Sequence, residues 1–211
     1  MKTIRFFMCV VATITVILVL GGTVPIKAVV MYSNIGPGGS FSGGTMSPAY
    51  GPQSIYNYDK DTAGIFTPVV SDYLGSVEVG ILAGLSIYDM AQMDLWIAAD
   101  NGNLPGQILE TASCTMTGGG ARHLQTVTFS GNTYLSAGTK YWIGMSAPGE
   151  NWFWWYVSEP EVSGRIAYKT TGNWSAFDYY AGLSLRVNSI PEPATMLLLA
   201  IGMFGLRRSY K

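Results

Sequence analysis

Apolar and polar residues alternate with a period of two along much of this chain. In LGSVEVGIL, Val77, Val79 and Ile81 point one way and Glu78 and Gly80 the other; later, Val127 and Phe129 oppose Thr126, Thr128 and Ser130. Residues two apart share a face in an extended strand, so this spacing predicts strands with one buried side. AGIFTPVV, YLGSVEVGILAG, SIYDMAQMDLWIAAD, LQTVTFSGNTYLSAGTKYWIGMSAP, NWFWWYVSEP, GRIAYKT and AGLSLRVNSI follow one another. Each is rich in β-branched and aromatic residues and is bounded by Gly, Pro, Asn or Ser. Short strands in close succession without helical crossovers predict an all-β fold, a jelly-roll-like antiparallel β-sandwich first and an immunoglobulin-like one second. Only SIYDMAQMD has a spacing that suits a helical turn, and no repeat of fixed period is present.

The pattern breaks at both ends. Lys2 and Arg5 precede an uncharged apolar run over residues 6–20, with Ala28 as the expected cleavage residue, which predicts a signal peptide over residues 1–28 and export through the Sec machinery. A run of about 15 residues is short for a permanent span. Residues 29–64 are rich in Gly, Pro, Ser and Asn, and only short strands are expected there, at residues 31–35 and 53–58. The predicted plan is a signal helix at 1–28, a β-sandwich domain at 29–189 and a tail with a hydrophobic helix at 190–211.

Charge narrows the partners. Between Val29 and Ile190 stand six basic and twelve acidic residues, a net charge of −6. Nucleic acids and anionic headgroups are held by clustered Lys and Arg, so nucleic acid is excluded as an expected partner, whereas neutral sugars and cations fit. With Cys9 inside the signal, Cys114 is the one thiol of the domain, and no internal disulfide forms.

Candidate chemistry is sparse, and no catalytic residue or cofactor is expected. His123 is the single histidine and no serine sits in a G-x-S-x-G elbow, so a serine triad has little to be built from. Asp59 with Asp61 and Glu159 with Glu161 are the closest carboxyl pairs, each in a polar turn that solvation alone explains. In ADNGNLPG, Asp100, Asn101 and Asn103 offer oxygens to calcium, but the distal glutamate of a calcium loop is absent and Asn-Gly beside Pro-Gly suits a tight hairpin. The aromatic run ENWFWWYVS stands out. As a strand it puts Trp152, Trp154 and Tyr156 on one face and Phe153, Trp155 and Val157 on the other. One set fills a core; the other, left uncovered, would make an aromatic face suited to stacking on sugars.

The chain closes with IPEPATMLLLAIGMFGLRRSYK. Pro191, Glu192 and Pro193, then an apolar stretch over residues 194–206, then Arg207, Arg208 and Lys211 resemble the tripartite PEP-CTERM sorting tail. Thirteen helical residues reach about 20 Å, short of a hydrocarbon core of about 30 Å, which fits temporary lodging better than permanent anchoring. The basic end is expected to stay cytoplasmic and the domain outside. The resemblance implies an exosortase as processing partner and a product at the surface or in the exopolysaccharide matrix of a Gram-negative bacterium.

LGSVEVGILAG, DLWIAADNGNLPGQILET and TFSGNTYLSAGTKYWIGMSAP resemble the choice-of-anchor domains, the R type above all, with Leu135, Gly138, Thr139, Tyr141 and Trp142 in the L-x-x-G-T-x-Y-W pattern. The resemblance implies a β-sandwich and brings no catalytic residues with it. The expectation is a non-enzymatic exported protein of the surface or matrix; the alternatives are a carbohydrate-binding module, a carbohydrate-active enzyme and, last, an ice-binding protein, for which the regular Thr-rich repeats are missing.

Overall fold

The computed structural model describes residues 28–84, 90–117, 121–160, 162–179 and 181–191. Among the described residues the compact unit Ala28–Ile190 is built of strands in two antiparallel sheets, with one short 3-10 turn at Pro37–Gly39. In chain order its strands are β1 (Val30–Ser33), β2 (Phe41–Tyr50), β3 (Asp61–Phe66), β4 (Asp72–Ala83), β5 (Met90–Asp100), β6 (Pro105–Thr117), β7 (His123–Thr128), β8 (Tyr134–Leu135), β9 (Tyr141–Ser146), β10 (Trp152–Ser158), β11 (Gly164–Lys169), β12 (Trp174–Tyr179) and β13 (Leu185–Ser189). One sheet follows the order β1-β13-β4-β10-β2, with β7 and β8 also on β4; the other runs β12-β11-β3-β9-β5-β6.

The alternation places the core. Val77, Val79 and Ile81 of β4 are fully buried and meet Leu95, Ile97, Ile143 and Met145 of the second sheet in one apolar cluster with Phe153, Trp155 and Val187. Full burial of each such side chain contributes about 1.5–3 kcal/mol, so this layer dominates the stability of the unit. Glu78, between the inward valines, faces away from the core, accepts a bond of 2.9 Å from Arg186 and also meets Asn188. The second sheet has a smaller cluster on its other face, where Trp96 and Trp142 lie among Ala63, Ala98 and Ala167. Each buried indole has a partner: Trp96 Nε1 donates to Ser146 Oγ at 2.9 Å and Trp142 Nε1 to Asp100 Oδ1 at 2.8 Å.

Several local expectations change. Residues 53–58 form turns rather than a strand: Ser54 N donates to Gly51 O, Asn57 N donates to Ser54 O, and Asn57 has φ +58°, which no strand residue adopts. The turn-rich stretch before them instead holds the ten-residue β2, whose Gly, Ser and Pro residues are carried by pairing with β10. The first strand stops at Ser33 because the Asn34 side chain takes over, its Nδ2 donating to Leu183 O and its Oδ1 accepting from Leu185 N, both at 2.8 Å. In SIYDMAQMD, Met90 to Asp94 belong to β5, with Ala91 and Met93 buried. Residues 86–89 and the expected terminal helices lie outside the described residues.

Candidate functional site

Strand β10 divides its rings between two faces. Phe153, Trp155 and Val157 enter the core, and Trp155 Nε1 donates to Ser184 O at 2.8 Å. Trp152 and Trp154 are half-buried on the opposite face, edge to face at 6.1 Å. Tyr156 departs from the expectation for that face: only 3% of it is accessible, because Phe41 packs on its ring at 5.5 Å and the Arg122 guanidinium stands 5.8 Å from its centroid.

The aromatic face extends beyond β10. Tyr50, at the end of β2, lies 6.2 Å from Trp154, and the following turn brings Tyr56 to 5.7 Å from Trp152. Tyr56 and Tyr58 pack on Tyr50 at 4.1 and 5.1 Å. Tyr50 is buried, and burial, with the adjacent Tyr58 and Tyr56, pushes its phenol up to about 12. Tyr56, Tyr58 and Ile55 remain exposed. The turn that replaces the expected strand at 53–58 thus supplies two of the five rings of the face.

A cavity of about 230 Å³ lies beside it, between the ends of the two sheets. Ser47 and Pro48 of β2 and Val157 of β10 line it on one side, Ile166 and Tyr168 of β11 and Phe177 and Tyr179 of β12 on the other. The alternation of β11 and β12 explains the lining: Ile166 pairs with Phe177 in register, and Tyr168 and Tyr179 follow two residues on along the same faces. Lys60 closes the space. Its ammonium stands 5.1 Å from the Tyr168 ring and 6.0 Å from the Tyr50 ring, so it joins the cavity to the aromatic face. Burial pushes the Lys60 pKa below its ordinary value. No residue of this cavity stands out in the sequence; the available signal was a lone lysine beside a tyrosine cluster in YNYDK and the alternating rings of IAYK and FDY.

The other sequence candidates have local work. Asn101 N donates to Leu104 O at 2.9 Å across a turn whose central residues, Gly102 and Asn103, both have φ +65°, the hairpin geometry that Asn-Gly sequences favour. Asp100 holds that turn through Asn103 N and also holds Trp142, while Lys140 Nζ donates to Asn103 Oδ1. Asp61 pairs with Lys169 at 3.5 Å, and burial followed by the Asp61 charge pushes Asp59 upward. His123 opens β7, its Nδ1 3.1 Å from Ala121 O. Glu159 is exposed, whereas Glu161 lies outside the described residues. Among the described residues no three His, Cys, Asp or Glu side chains gather as metal ligands. Pro191 is exposed; Glu192, Pro193, Arg207 and Arg208 lie outside the described residues.

Residues 189–209 match the PEP-CTERM protein-sorting motif, which supports an exported protein sorted by an exosortase through a membrane-associated C-terminal tail. No curated protein matches the chain.

Proposed function

We propose that this chain is a non-enzymatic exported protein, translocated by the Sec machinery and released by an exosortase, which acts at the cell surface or in an exopolysaccharide matrix. The sorting motif at residues 189–209 carries the proposal. Its Pro-Glu-Pro directly follows the compact unit Ala28–Ile190, so a cut there would release the domain whole. In the same proposal the unit is a choice-of-anchor sandwich of the R type with jelly-roll-like order, in which Tyr141 and Trp142 open β9.

The half-buried Trp152 and Trp154, with exposed Tyr56 and Tyr58, favour a polysaccharide-binding role for the domain. Flat rings stack on the C–H faces of sugars and are sparingly exposed without such a use. Mass spectrometry of the mature protein from an exosortase-positive host tests the sorting step. The expected mass lacks the signal and the residues after Pro-Glu-Pro; an intact mass retaining residues 194–211 would defeat it. Pull-down on the host polysaccharide tests the binding role, with retention expected to fall in Trp152→Ala and Trp154→Ala; unchanged retention in both would remove it.

A further inference from the structure

We infer that the cavity between β2, β11 and β12 is a subsite for one acidic sugar unit, a pyranose ring carrying a carboxylate. Four features of the cavity lead there. Tyr168, Phe177 and Tyr179 offer ring surface in one space, with Tyr168 and Phe177 5.9 Å apart and Phe177 and Tyr179 6.0 Å apart. Both pairs meet edge to face, at 61° and 88°, so one ring can take the C–H face of a pyranose while its neighbours wall the edge of that ring. The volume of about 230 Å³ suits a single ring and falls below the space that drug-sized ligands fill.

Lys60 decides the charge of the ligand. Its neighbours Asp61 and Lys169 pair with each other, and Lys60 itself meets the rings of Tyr50 and Tyr168 without a carboxylate partner among the described residues. An ammonium held against aromatic surface, partly stripped of water, gains from an anion that reaches it, because a charge-assisted hydrogen bond is stronger than a neutral one. The domain's net charge of −6 opposes a polyanion at long range, but fields beyond a Debye length are screened at physiological salt, whereas a contact with Lys60 is not. Hydroxyls complete the match. Ser47 and Tyr168 line the space, the first bonded to Thr62 at 2.6 Å and able to accept further, and a sugar ring offers hydroxyl partners that a plain aromatic acid lacks.

The inference rests on the preceding proposal in one respect, that the domain meets polysaccharide outside the cell. Calorimetric titration of the mature protein with glucuronate, glucose and benzoate tests it. Glucuronate should bind, and bind more tightly than both the neutral sugar and the aromatic acid. Lys60→Met, which keeps the stem over the rings, should weaken glucuronate about tenfold, as expected for one lost charge-assisted contact, and Lys60→Arg should restore it. Tyr168→Ala should weaken glucuronate and glucose alike. The inference is overturned if glucuronate does not bind, if glucose or benzoate binds as well, or if folded Lys60→Met, checked by its melting curve, binds glucuronate as the parent does. Polysaccharide retention lost in Trp152→Ala and Trp154→Ala while glucuronate fails would leave the preceding proposal standing and remove this one alone.

Discussion

Trp96 of β5 and Gly144 of β9 are direct cross-strand partners, and the indole lies over the glycine so closely that a Cβ there would stand inside the ring. A strand glycine normally costs stability because it has no side chain to pack. Here its bareness seats a large ring that the Ser146 hydroxyl then fixes.

The prediction from that pair is that Gly144→Ala destabilises the domain by about 1–3 kcal/mol, the range for overpacking a filled site. Denaturant titration checks it. Gly38 is the control, since its substituent would meet nothing within 4 Å and its cost is confined to the strain of φ +70°. Equal stability of parent and Gly144→Ala would show that the indole swings aside freely.

On β10, adjacent residues should respond oppositely. Trp155→Ala empties a fully buried position and leaves Ser184 O without its indole partner, so a loss of about 3–5 kcal/mol is expected. Trp154→Ala removes a half-buried ring from the outer face and should cost less while lowering polysaccharide retention. Thermal melts of both variants, with retention measured alongside, separate the roles.

That division was legible in the alternation of FWWYV, as were the buried sides of β4 and β7. The cover over Tyr156 was not, because Phe41 comes from a segment of Gly, Ser and Pro whose strand exists only through pairing with β10. Local propensity has no access to such a partner. The cavity escaped for the same reason. Tyr168 and Phe177 sit on the paired strands β11 and β12, but Lys60 and Ser47 lie more than a hundred residues before them and reach the same space only when β2 and β3 bring one sheet against the other. The hairpin at residues 101–104, by contrast, is a short-range matter of Asn and Gly conformation and was readable directly.

Glu110 should contribute pH-dependent stability. Burial pushes its carboxyl up, but bonds from Thr133 Oγ1 and Ser130 N, each at 2.5 Å, outweigh that and leave it below its ordinary value of 4.5. A pKa lower in the folded state gives stability that is complete above the unfolded value and lost as pH falls through the folded one. The parent should therefore lose more stability than Glu110→Gln between pH 7 and pH 3. Parallel loss in the two proteins by denaturant titration would remove Glu110 from the acid response.

Cys114 should be slow to react. Burial first and the Asp94 charge second push its thiol up to about 11, and only the thiolate is nucleophilic. Iodoacetamide at pH 8 should alkylate the folded protein far more slowly than the urea-unfolded chain, and Asp94→Asn should speed the folded reaction. Equal folded and unfolded rates would contradict the burial of the thiol against the core.

Asp100 gives the last test, which separates a structural carboxylate from a calcium ligand. Its Oδ1 accepts from Trp142 Nε1 and its Oδ2 from Asn103 N, so one side chain ties the buried indole to the turn that reverses the chain from β5 to β6. Trp142 is fully buried, and Asp100 supplies the acceptor that its N–H meets. Asp100→Ala should cost about 1–3 kcal/mol for the orphaned donor, and Asp100→Asn, whose amide oxygen can still accept, should cost less. Added calcium should leave the melting temperature of the parent unchanged, because one carboxylate and two side-chain amides fall short of the roughly six to eight oxygens that calcium takes. A calcium-dependent rise in the parent that vanishes in Asp100→Asn would reverse the assignment and make the turn a metal site.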